Sequence, residues 1–137
     1  MKKTDNSCPS CTKISIWAFL PFLTIFLIVF MVTATNAFAE TEVIIPNEAS
    51  DISCAESDSC FSPSEVALGI GDSVTWHNDS TTPHTVTSGN TDDGPDGVFD
   101  SSLLMGDNTF SHTFTKAGEY QYFCSIHPWM TGTVIVV

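Results

Sequence analysis

Residues 40–137 are predicted to fold as an all-β sandwich of two packed sheets. Three observations carry that expectation. Short runs rich in β-branched and aromatic residues alternate with clusters of Gly, Pro, Asn and Asp. Within the runs, apolar side chains recur at every second position, the period of a strand with one buried face. No segment after residue 40 carries the apolar period of an amphipathic helix. About seven or eight strands result, a number that two sheets accommodate.

The first 39 residues are read as something other than this domain. Lys2, Lys3 and Lys13 precede a charge-free run from Ile14 to Val32, and "NAFAE" places Ala37 and Ala39 at the small-residue positions of a signal-peptidase site. Cleavage after Ala39 is expected. The alternative is an uncleaved N-terminal anchor, because the apolar run is nearly long enough to span a bilayer. In either case the lysines stay inside and the rest is exported. Cys8 and Cys11 form "CPSC" within this leader. With no second pair and no surrounding βαβ pattern, they are assigned neither a metal nor a redox role.

The exported part starts with "TEVIIP", a short strand ended by Pro46, and an irregular stretch to Pro63 follows. "SEVALGI" places Val66, Leu68 and Ile70 on one face, and Gly71-Asp72 turns the chain. In "SVTWHN", Val74 and Trp76 point one way and Thr75 and His77 the other. "HTVTS" is the next strand. From Gly89 to Asp107 the chain is too rich in Gly and Asp for a regular element, and Met105 within it is read as apolar filler. The "DDGPDG" segment is read as a solvated turn, since its spacing does not fit an EF-hand loop. "TFSHTF" returns to strand, with His112 taken as out of phase with Phe110 and Phe114 and therefore on the surface. "KAG" turns at Gly118, "EYQYFC" runs on, and "TGTVIVV" is the last strand.

Charge excludes some function classes. Beyond residue 39 the chain has fifteen acidic residues and one cation, Lys116, a formal balance of 1 − 15 = −14. Nucleic acid and anionic lipid are poor partners for such a body, whereas a basic protein surface is a good one.

The cysteines separate into a pair and a remainder. Cys54 and Cys60 flank "CAESDSC" and are expected to form a disulfide in an exported chain. Cys124 is left over, a flag for a reactive or liganding thiol. It opens C-x-x-H-x-x-M, with His127 and Met130. Thiolate, imidazole and thioether together suit copper; zinc rarely takes the thioether. A His2Cys set with a weak axial Met needs one more imidazole. Among His77, His84 and His112, the best placed is His84, where Pro83 ends a polar loop and a strand begins.

"VTWHND…PHTV" followed by "GEYQYFCSIHPWMTGTVIVV" resembles the type 1 (blue) copper proteins of the cupredoxin family, most closely the plastocyanin and amicyanin group. The resemblance covers the exported domain. It implies a Greek-key β-sandwich that holds one copper ion at one end through His84, Cys124, His127 and Met130. It also implies that Pro128 and Trp129 form an apolar surface beside the exposed edge of His127; the alternative for Trp129 is a core plug with no docking role. The short Cys-to-Met spacing is amicyanin-like. Where relatives have Asn after the first histidine this chain has Thr85, whose hydroxyl would have to pin the two ligand loops together.

The expected function is one-electron transfer between redox partners outside the cytoplasmic membrane, by a monomer whose partner carries a basic docking surface. Alternatives are copper delivery or storage, or an electron-donor subunit of a larger copper oxidase system. A copper enzyme needs further copper centres, generally with histidines flanking the copper cysteine; here the neighbours are Phe123 and Ser125.

Overall fold

A computed structural model describes residues 40–137; the leader and the Cys8–Cys11 pair lie outside the described residues. Eight strands form two sheets: β1 Glu40–Ile45, β2 Glu65–Leu68, β3 Ser73–Asn78, β4 Thr87–Asn90, β5 Gly94–Asp100, β6 Thr109–Thr113, β7 Gly118–Cys124 and β8 His127–Val136. One sheet has the order β1-β3-β6 and the other β2-β8-β7-β4-β5. Only β4–β5 and β7–β8 are consecutive neighbours within a sheet; every other connection crosses between sheets, a sandwich of the Greek-key kind that the resemblance implies. β1 pairs parallel to β3 and β2 parallel to β8, pairings that only such crossovers allow.

Alternation decides which faces meet. Val74 and Trp76 of β3 are buried while Thr75 and His77 are partly exposed. In β8 the even positions, Met130 to Val136, face inward. Between the sheets Trp76 meets Tyr122 edge to face with ring centroids 5.3 Å apart, and Phe61 meets Tyr122 at 4.9 Å. Burial pushes the Tyr122 hydroxyl up to about 12. Tyr122 lies opposite Gly132 in the β7–β8 pair, and a Cβ at Gly132 would stand 2.3 Å from the tyrosine Cζ. Glycine is required there because the ring occupies the place of a side chain.

The irregular stretch after β1 contains a 3-10 turn, Asn47–Ser50, and a one-turn helix, α1, Ser53–Glu56. Cys54 and Cys60 form the expected disulfide, with Cα atoms 4.9 Å apart and both residues buried.

Several details depart from expectation. The Gly- and Asp-rich segment is not wholly irregular: Gly94–Asp100 forms edge strand β5, with Phe99 buried between its exposed neighbours Val98 and Asp100. β2 stops at Leu68, so Ile70 lies in the turn and is 56% exposed. Met105 is not filler; it is 49% exposed. Regular pairing of "HTVTS" starts only at Thr87, and β8 begins at His127 rather than Thr131. His112 shares the face of Phe110 and Phe114, because residues two apart in a strand point the same way. Its ring packs 4.9 Å from both Phe99 and Phe114, and partial burial lowers its pKa.

Candidate metal centre

Two segments meet at one end of the sandwich. The first is the chain from Asn78 to His84. Asn78 is fully buried and spends its whole side chain on this loop. Its Nδ2 donates to the carbonyls of Thr82 and Leu104, and its Oδ1 accepts from the Ser80 amide and hydroxyl. His84 then exchanges both backbone hydrogen bonds with Leu104, at 3.0 and 2.8 Å. The ring is delivered to the interior, with no accessible surface.

The second segment is the β7–β8 hairpin. Cys124 ends β7 and pairs with His127, which starts β8, so Ser125 and Ile126 alone make the turn. Cys124 and Met130 are fully buried, and His127 is partly exposed. Cys124 is the only free cysteine among the described residues.

The ligand-type atoms of His84, Cys124 and His127 all lie within 4.8 Å of one another. Cys124 Sγ stands 3.9 Å from His84 Nδ1 and 3.7 Å from His127 Nδ1. Metal–sulfur and metal–imidazole bonds of about 2.3 and 2.1 Å at a trigonal angle separate their donor atoms by about 3.8 Å, so the cluster fits one ion. The second nitrogen of His84, Nε2, is buried without a hydrogen-bond partner, so only Nδ1 has a polar neighbour. Burial, and then the nearby His127, lower the His84 pKa to about 4. A neutral imidazole is the form that ligates.

The sulfur is also held from behind. The Thr85 amide donates to Cys124 Sγ at 3.2 Å, and the Ser125 amide donates to Thr85 Oγ1 at 2.7 Å. The threonine hydroxyl thus joins the two segments. Trp129 stands 5.2 Å from the His127 ring, is only partly exposed, and donates its Nε1–H to the Ala49 carbonyl at 3.3 Å. Pro128 is exposed.

His77 and His112 stay out of the cluster. His77 sits on the outer side of β3 with its Nδ1 3.8 Å from the Glu42 carboxylate. Sequence reasoning missed the exposed Leu103 and Met105, which flank the residue paired with His84, and Ile126, which precedes His127. Their only sequence signal was that large apolar residues stood in otherwise polar loops.

A thiolate, two imidazoles and a buried thioether three residues on, at the end of a β-sandwich, define a protein that holds copper. Known proteins agree. Residues 49–137 match the family described as copper binding proteins, plastocyanin/azurin family. Amicyanin of Paracoccus versutus is 32% identical over 117 residues, covering 78% of this chain and 87% of that protein. A purple cupredoxin from Nitrosopumilus maritimus superposes with a TM-score of 0.65 at 34% identity, over 71% of this chain and 99% of its own. An oxidised amicyanin mutant superposes with a TM-score of 0.55 at 28% identity, over 72% of this chain and 82% of that one. The chain belongs to the plastocyanin/azurin family of copper-binding proteins, the cupredoxins.

Proposed function

We propose that this cupredoxin is a one-electron carrier working outside the cytoplasmic membrane, with His84, Cys124, His127 and Met130 as the ligands of one copper ion. The observation that carries the reading is the meeting of buried His84 and Cys124 with partly exposed His127, their donor atoms all within 4.8 Å of one another. Bound copper would supply the one-electron couple; the chain supplies rigidity and access. Asn78, the Leu104 bridge and the Cys54–Cys60 disulfide fix the loops, and the Thr85 amide fixes the sulfur. Partly exposed His127 offers the way in and out.

The exposed Ile126 and Pro128 on either side of His127, with exposed Leu103 and Met105 on either side of the residue paired with His84, would offer a redox partner apolar contact. Trp129 serves mainly as a plug, since its N–H is committed to Ala49. The formal charge of −14 beyond residue 39 favours a partner with a basic surface. Residues 1–39 would direct export, as signal or anchor, and residues 40–137 would act as a monomer.

Loaded with Cu(II), the exported chain is expected to show the intense visible thiolate-to-copper band, and Cys124→Ser to abolish it. A colourless copper-loaded wild type, or colour retained in Cys124→Ser, sinks the reading.

A further inference from the structure

A closed ring of hydrogen bonds lies behind Cys124. The Ser125 amide donates to Thr85 Oγ1 at 2.7 Å, and Thr87 Oγ1 donates to the same oxygen at 3.1 Å. Ser125 Oγ in turn donates to Thr87 Oγ1 at 3.1 Å. Residues 85 and 87 are two apart in extended chain, so their hydroxyls share a side. Both threonines are buried, at 8% and 3% exposure. Ser125 is thereby gripped twice, by its amide and by its hydroxyl, and both lone pairs of Thr85 Oγ1 are filled. The Thr87 proton has one competing acceptor, Asp100 Oδ1 at 3.3 Å, which already takes the Ser102 amide at 2.9 Å. The contact to Thr85 is the shorter, and with the Thr87 proton on Asp100 the Thr85 hydroxyl donates back to Thr87 Oγ1, so the ring closes with either assignment.

A lone threonine hydroxyl is a single rotor, and one hydrogen bond to Ser125 would leave it free to turn away. The second contact, from Thr87, removes that freedom. We propose that Thr87 is a positioning residue for the copper centre, locking Thr85 and Ser125 together so that the Thr85 amide stays on the Cys124 sulfur. This inference rests on the copper reading above. Hydrogen bonds to the cysteine sulfur tune copper sites of this kind, and partners one step behind the ligands govern metal retention.

Thr87→Val keeps the shape and removes the hydroxyl; Thr87→Ser keeps the hydroxyl. In the copper-loaded protein, Thr87→Val should release copper to a chelator about tenfold faster and shift the thiolate band, while Thr87→Ser stays within about twofold of wild type. In the metal-free protein, the Ser125 amide should exchange with deuterium about tenfold faster in Thr87→Val than in wild type. If Thr87→Val does not fold, Thr87→Ala removes the same hydroxyl and carries the same expectations. Wild-type values for Thr87→Val, or equal effects from Val and Ser, would overturn the proposal. A failure of the copper reading looks different: the wild type itself has no band, while the exchange measurement still reports the ring.

Discussion

His84 carries the clearest physical signature of any single residue. Its pKa falls from 6.5 to about 4 through burial, with His127 adding to the effect. In the metal-free protein the unfolded chain therefore takes up a proton between about pH 6.5 and 4 that the folded chain refuses, so stability should drop as pH falls through that window. Urea unfolding of the metal-free protein across this range checks it; a flat profile would mean that His84 is not held neutral by the fold. At this scale three donors were legible because Cys124, His127 and Met130 within seven positions have no common structural use, and His84 because it follows Pro83 where a polar loop ends. The Thr85 hydroxyl was legible only as a need, and its partners Thr87 and Ser125 were not, since Ser and Thr recur throughout the chain and nothing local marks these two. His112 was misplaced by a parity error that the strand period itself corrects.

Among the elements, the segment between β1 and β2 links the disulfide to the metal end. The Ala49 carbonyl receives the Trp129 N–H, and Cys54 Sγ lies 3.4 Å from the same oxygen. Replacing Cys54 and Cys60 by Ser should cost about 2 kcal/mol in the chain-entropy estimate while leaving the visible band in place. Thermal unfolding beside an absorption spectrum separates the two effects, and a variant that loses its colour while still folded would contradict it. At the β7–β8 pair, Gly132→Ala forces Tyr122 out of its place and should destabilise by about 1–3 kcal/mol, read as a lower urea midpoint. Strands with strict alternation, such as β3, were legible. β5 was not: Gly94, Pro95 and Gly97 speak against a strand. It is held to β4 by pairing at Thr87, Gly89 and Asn90 and by Ser88, whose hydroxyl accepts the Phe99 amide and has Asp96 Oδ1 and the Phe99 carbonyl as acceptors. The Ser88–Phe99 contact spans eleven residues and leaves no local pattern.

For the molecule as a whole, charge sets the kinetics of encounter. A body with fifteen carboxylates and one lysine beyond residue 39 should exchange electrons with a basic partner at a rate that falls about tenfold or more as salt rises from low to physiological. Stopped-flow mixing with a basic cytochrome at graded ionic strength tests this, and a salt-independent rate would show that apolar contact alone governs docking. The two-sheet class was visible from the outset because burial and period act over every strand. Which strands neighbour which was not, because β2–β8 and β1–β3 join segments far apart in the chain. That arrangement bears on biogenesis. β8 lies between β2 and β7 and follows both in the chain. A chain made from its N-terminus therefore leaves a gap in the five-stranded sheet, and His84 without Cys124, His127 and Met130, until the last hairpin is made. One final segment completes both the sheet and the metal centre.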